Sequence, residues 1–279
     1  MTTQRPLPYV EAELNYLGQS PERPRYYAYE PDANDPPPVM PLEPHRLPIH
    51  DLRPLSRELS LDVQGFALAE HRSAVRDFWD DEEVRRLYYP EAEAVIKQVT
   101  GASRVFIFDH LQRRRVPGLV DRSRRGGPRQ PATRVHVDHT DRSGPQRVRD
   151  LMGDEAEELL KGRVQVINLW RPIRDEPLRD APLAVCDSRT VAPGDLIPSD
   201  LVYRERVGET YSVKFNPAHT WYYVPEMRRS EALLLKIADT KTDISARFMP
   251  HTSFTDPTTP ADAPPRESIE IRTLVFHPA

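Results

Sequence analysis

The chain has 279 residues, a formal net charge of −4 and 29% charged residues, which suits one large globular domain or two small ones. That balance excludes the basic footprint of a nucleic-acid binder, and no stretch is apolar enough for a signal core or a membrane span. A lone cysteine, Cys186, excludes an internal disulfide, fits a reducing cytoplasm and reads as a small packed side chain.

Residues 1–50 carry Pro-Glu-Arg-Pro, Pro-Asp-Ala-Asn-Asp-Pro-Pro-Pro and Pro-Leu-Glu-Pro, and read as an extended Pro-rich arm ahead of a single domain over 51–279. Thirty prolines in the whole chain imply many irregular connections around a β-rich core. From Asp80, acids at the head of Asp-Asp-Glu-Glu-Val-Arg-Arg-Leu-Tyr-Tyr predict a helix start. Pro90 then opens a second helix over 91–100, closed by Gly101. Residues 104–109, Arg-Val-Phe-Ile-Phe-Asp, read as a core strand.

The stretch 111–134 gathers Arg113, Arg114, Arg115, Arg122, Arg124, Arg125, Arg129 and Arg134 around a Gly-Gly pair. It reads as a solvated loop, or as a lid whose arginines attract an anionic substrate. The HxD segment follows, then a helix over 150–161 ending at Gly162. Strands are predicted at 163–170, 182–187, 195–203, 210–216, 219–224, 231–238 and 268–276. Many short strands with Pro and Gly punctuation give a mainly β fold with flanking helices, a sandwich or jelly roll.

The chemistry centres on His136-Val137-Asp138. In a strand, residues i and i+2 face the same way, so imidazole and carboxylate project side by side. That pair supplies two corners of the two-His-one-carboxylate triad that holds Fe(II) with open positions for cosubstrate and O2. His219 and His251 are the candidates for the third corner, with His277 close to the terminus. His251 is favoured because Arg266 follows at the head of a strand. A planar guanidinium suits the far carboxylate of a keto acid, and strands hold such geometry better than turns. His219 is followed by Arg228 and Arg229 in a turn, and by Lys236 in an apolar run. A buried Lys236 needs an anionic partner, Asp239 or Glu231 among the nearest. Asn168 alternates with Val164, Val166 and Trp170, so it points inward, toward a cosubstrate or a backbone partner. Arg171, Tyr211 and Tyr222 are candidate donors in the pocket, and His139 faces away from Asp138.

Taken in order, the motifs Arg134-Val-His-Val-Asp-His-Thr140, Asn168-Leu-Trp-Arg-Pro-Ile173, His219-Thr-Trp-Tyr-Tyr-Val224, Glu231-Ala-Leu-Leu-Leu-Lys236, Pro250-His-Thr-Ser-Phe254 and Arg266-Glu-Ser-Ile-Glu-Ile-Arg272 resemble the hydroxylase/desaturase family of AsaB type. The resemblance covers roughly residues 45–277 and implies a double-stranded β-helix, cupin-like, with Fe(II) and 2-oxoglutarate as cosubstrate. It places metal ligands at His136, Asp138 and His251 and the cosubstrate anchor at Arg266. The long gap between the two metal-binding segments keeps His219 as the other candidate. The expected activity is oxidation by O2 of a small natural-product or amino-acid-like substrate. A 2-oxoglutarate-independent cupin-like enzyme and a catalytically silent metabolite-binding β-helix are the alternatives. The composition permits a homodimer without specifying one.

Overall fold

The computed structural model describes residues 6–119, 121 and 128–278. Its elements, in chain order, begin with β1 (Tyr9–Leu17), β2 (Arg25–Tyr27), β3 (Leu42–Asp51) and β4 (Phe66–Glu70). A helical segment follows, made of α1 (Asp81–Glu83), a π-helical turn (Val84–Tyr88) and α2 (Tyr89–Thr100). Then come β5 (Arg104–Arg114), β6 (His136–Val137), α3 (Ser143–Met152) and α4 (Ala156–Leu159). The remainder is β7 (Val164–Pro172), β8 (Leu183–Cys186), β9 (Leu196–Val202), β10 (Val207–Val213), β11 (Trp221–Tyr223), β12 (Glu231–Asp239), β13 (His251–Ser253) and β14 (Glu267–Phe276).

One sheet runs β1-β3-β11-β8-β13-β6-β10-β9-β2 and the other β4-β12-β7-β14-β5. Their facing sides share a core to which Val137, Leu183 and Val185 contribute from the first sheet, and Val166, Trp170, Leu235 and Leu274 from the second. This is the expected jelly-roll architecture, in which two curled sheets enclose a single interior. The pleat divides β12 cleanly: Leu233, Leu235 and Ile237 face that interior, whereas Ala232 and Leu234 face outward. Outward, α2 covers the five-stranded sheet, setting Val95 and Ile96 against Ile167, Leu169 and Ile271.

Asp80 caps the helical segment by accepting from the Glu82 and Glu83 amides. The segment runs on as one body instead of two helices. Pro90 has no N–H for a regular helical bond, and the wide π turn before it absorbs that defect. Gly101, at φ 68°, closes α2 by donating to the Lys97 carbonyl. The helix expected at 150–161 starts earlier, at Ser143. Thr140 Oγ1 accepts from the Arg142 and Ser143 amides at 3.2 and 3.0 Å, and Gly153 ends α3 at φ 53° before α4 resumes.

Residues 9–17 and 42–51, expected within an extended arm, are extended but paired along their whole length as β1 and β3. Leu14, Tyr16 and Ile49 pack with Val213 and Trp221 in a third cluster. Pro44 and Pro48 fall where β3 has only β1 as neighbour, because β11 joins it at Ile49–Asp51. Spaced by four, the two prolines turn their missing donors to the same unpaired side. The basic stretch is partly strand, since β5 runs through Arg114. Arg114 pairs with Glu267, Arg115 with Asp180 and Arg129 with Asp121. Arg122, Arg124 and Arg125 lie outside the described residues.

Lys236 finds its anions in Asp239 (2.5 Å) and Asp62 (2.8 Å), both of which Arg163 also contacts. Burial pushes the Asp62 carboxyl up, but hydrogen bonds from Arg163 and Lys236 outweigh it and hold it at about 2. That depressed value means a stabilising contribution present above the ordinary carboxylate range and lost as pH falls through about 2. Lys236→Ala should therefore cost about 3 kcal/mol in urea unfolding while leaving the affinity for 2-oxoglutarate unchanged. A weakened keto-acid affinity in this variant would return Lys236 to the list of cosubstrate anchors.

Candidate functional site

The short strand β6 lies between β10 and β13, and its register sets His251 directly opposite His136. Neighbouring strands thus bring the two imidazoles together, with ring centroids 4.4 Å apart. Asp138 follows two residues on, and one ligand atom from each of His136, Asp138 and His251 lies within 4.8 Å of the others. His136 Nδ1 donates to the Arg134 carbonyl at 2.9 Å and His251 Nδ1 to the Met249 carbonyl at 3.3 Å. Carbonyls only accept, so both protons sit on Nδ1 and both Nε2 lone pairs are left for a metal. Asn168 Nδ2 donates to Asp138 Oδ2 at 3.0 Å, which orients the carboxylate. Burial, then Arg134 and His251, push His136 down to about 4, so it is neutral at pH 7. Burial raises Asp138, yet His136, His251 and Arg272 overcome it and hold the carboxyl well below its ordinary range. Two imidazoles anchored through Nδ1 and an ionised carboxylate form the donor set that Fe(II) takes, with positions left open.

The backbone ahead of His251 is held from two sides. Gly65, at φ 93°, packs so closely that an added Cβ would lie 2.8 Å from Met249 Cβ and 2.5 Å from Ser188 Oγ. Ser188 Oγ in turn donates to the Phe248 carbonyl at 3.0 Å.

Across the interior, the five-stranded sheet supplies the other wall. A small cavity is lined by the triad with Arg113, Trp170, Arg266 and Glu270 among others. Arg266, just before β14, is 2% exposed, and its guanidinium lies 4.9 Å from the Trp170 ring centroid. Nε donates to Ser268 Oγ at 3.1 Å and Nη1 to the Ala181 carbonyl at 2.9 Å. Burial, then Arg113, push Arg266 down to about 9. An arginine keeps its proton regardless, so the shift marks a buried cation short of counter-charge. His251 and Arg266 therefore face each other from different sheets, not from adjoining strands.

Ser268, Glu270 and Arg272 were not singled out from the sequence, although their spacing was a usable signal. Residues 266, 268, 270 and 272 alternate with Ile269 and Ile271, which pack outward. A polar stripe on an otherwise buried strand normally faces solvent; here it faces the interior, with Arg266 and Glu270 lining the small cavity and Arg272 a neighbouring cleft.

Other candidates lie elsewhere. Arg171 differs from Asn168 by an odd number of residues, so the pleat sends it to the opposite face of β7. There it donates to the His71 carbonyl at 2.5 Å over the Tyr88 ring, and it is corrected from pocket donor to buried packing residue. Tyr211 stands opposite Val137 instead of a ligand; its hydroxyl donates to Asp141 at 3.3 Å and its ring abuts Phe248, so it too leaves the cosubstrate set. His219 uses both ring nitrogens, at 3.1 Å to the Tyr16 hydroxyl and 3.1 Å to Asp195, and is not part of the triad. Arg229 binds Asp175, and His277 pairs with Gln165. Trp221 donates to the Tyr16 hydroxyl in the third cluster, and Tyr222 packs near Phe66. Buried Cys186 has its thiol pushed up by burial, as an inert packed cysteine does.

Asp138 also opens onto a second cleft of about 510 Å³. Helix α3 forms one side with Ser143, Gln146 and Arg147, the β9–β10 hairpin forms the other with Leu201, Tyr203 and Val207, and Asn168 and Arg272 share the lining with Asp138. His139 lines this cleft and accepts from, or donates to, Ser143 Oγ at 3.1 Å.

Comparison with known proteins agrees with this geometry. The family described as "Oxidoreductase/YMDC permease-like domain" matches residues 14–276. Among the described residues no helix is long and apolar enough to cross a membrane. Hydroxylase/desaturase efuI of Hormonema carpetanum is 38% identical over 252 residues, covering 82% of each chain. Fe(II)/2-oxoglutarate-dependent dioxygenase nvfI of Aspergillus novofumigatus is 35% identical over 240 residues, covering 84% of each. The solved structure of the iron and alpha-ketoglutarate-dependent endoperoxidase NvfI superposes with a TM-score of 0.87 at 31% identity, over 97% of this chain and 99% of that one. Hydroxylase/desaturase asaB of Aspergillus flavus is 40% identical over a shorter 136 residues, 44% of this chain and 59% of the relative. The chain belongs to this hydroxylase/desaturase family of Fe(II)- and 2-oxoglutarate-dependent oxygenases.

Proposed function

We propose that His136, Asp138 and His251 hold Fe(II), that Arg266 holds the distal carboxylate of 2-oxoglutarate, and that the enzyme oxidises a small natural-product substrate. The observation that carries this is the pairing of two Nδ1-anchored imidazoles and an ionised aspartate with a buried, under-compensated guanidinium across one cavity. Held there, Fe(II) and 2-oxoglutarate would supply the oxidising power with O2, and the substrate would be the group oxidised. The chain's own groups orient. Asn168 fixes the Asp138 carboxylate, Ser268 fixes the Arg266 fork, and Trp170 shields that fork from water. A sequence relative is named hydroxylase/desaturase and a structural one endoperoxidase, so the ligand set supports the oxidation without selecting its outcome. One buried thiol is in keeping with a cytoplasmic setting.

Anaerobic addition of Fe(II) should give a visible charge-transfer band only when 2-oxoglutarate is present, and admitting O2 should then release succinate. Iron binding with no band and no succinate would favour a cupin-like enzyme that does not use the keto acid.

A further inference from the structure

Four arginines, Arg142, Arg147, Arg206 and Arg272, line the outer cleft against three acids, Asp138, Asp150 and Glu209. Arg142 is offset by Glu209 at 2.8 Å, and Arg272 is offset by Asp109 at 2.5 Å. Asp150 accepts from Gln146 at 2.8 Å. Arg147 is different: among the described residues it has no hydrogen bond and no ion pair, and its guanidinium lies 4.7 Å from the Phe108 ring centroid. The Nε atoms of Arg147 and Arg272 are both buried without an acceptor. Such donors are costly to leave unmade, and the Arg147 guanidinium, on the cleft wall without an ion pair among the described residues, is a cation for an anionic ligand to meet. Around them, Phe108, Leu201, Tyr203 and Val207 offer apolar surface, so the ligand has an apolar body beside its charge.

Resting on the oxygenase reading above, we infer that the substrate carries a carboxylate held by Arg147 and Arg272. The guanidinium is planar and forked, which matches a carboxylate's two oxygens. Holding the acid on the cleft wall sets the apolar remainder over Asp138, the one metal ligand common to both cavities. Arg147 is then a specificity residue placed away from the metal, and the inner cavity is left to the cosubstrate.

The test uses the full chain and a graded series of aryl and alkyl carboxylates, each matched to its neutral primary amide. Affinities are read by calorimetry and saturation-transfer NMR, so no turnover is needed. The wild-type protein should bind carboxylates at least about tenfold more tightly than their amides. Arg147→Ala should erase that preference and Arg147→Lys should restore part of it. His136→Ala should keep it, even though that variant loses iron. Arg266→Ala should keep it as well, because the acid is not in the inner cavity. Equal binding of acid and amide overturns the inference, as does an absence of binding across the series. A preference lost in Arg266→Ala but retained in Arg147→Ala also overturns it, by assigning the acid to the cosubstrate pocket. A failure of the oxygenase reading shows separately, as missing succinate with the preference intact.

Discussion

His251→Ala should leave a folded protein whose affinity for Fe(II) is reduced by at least about a hundredfold, the upper end of what losing a mere outer-shell partner costs. Succinate release should vanish with it. The loss is large because two protein ligands cannot hold the facial geometry of three. The matched control is His219→Ala. That residue spends its nitrogens on Tyr16 and Asp195, so the exchange should lower stability by about 1–3 kcal/mol and leave iron binding intact. Anaerobic iron titration of the two variants, with unfolding curves beside it, separates the roles. Iron binding lost in His219→Ala and kept in His251→Ala would reverse the assignment.

Arg266→Ala should bind Fe(II) normally yet raise the KM for 2-oxoglutarate by about a hundredfold. Arg266 is buried, and its Nε and Nη1 already donate to Ser268 and Ala181, so its fork is fixed before the keto acid arrives. Arg266→Lys keeps the charge but loses the planar fork and the Ser268 brace, and should fall between the two. The readout is KM against kcat. A variant that lost kcat and iron together, with KM unchanged, would place Arg266 in the metal's support and not in cosubstrate binding.

Much of the site was readable because short-range rules govern it. The two-residue spacing of His136 and Asp138 was the usable signal, although β6 ends at Val137 and Asp138 lies in the bend after it, and the apolar runs of β7 and β12 announced buried strands. Pro90, Gly101 and the acids after Asp80 marked their helical segment for backbone reasons. What stayed hidden depended on pairing between distant segments. Nothing local in Pro-His-Arg-Leu-Pro says that β1 will shield its edge, and β13 is a strand of three residues defined by β6 and β8 beside it. The rule that placed Asn168 inward also places Arg171 outward, so that miss lay in applying it to one residue and not the other. The stripe at 266, 268, 270 and 272 is ambiguous from sequence, since alternation tells that two faces differ but not which one meets water.

The His136–Asp138–His251 triad and Arg266 belong to opposite walls built by separate sheets, joined across the interior by side-chain packing and not by a shared hydrogen-bond ladder. On the proposed assignment, the span that 2-oxoglutarate bridges is consequently a property of how Leu183, Val185, Trp170 and Leu235 fill the space between two walls. A cavity opened there, far from any reacting atom, loosens the calliper. The catalytic distance is thus written in the volumes of apolar residues, and the enzyme's tuning lies as much in its methyl groups as in its imidazoles.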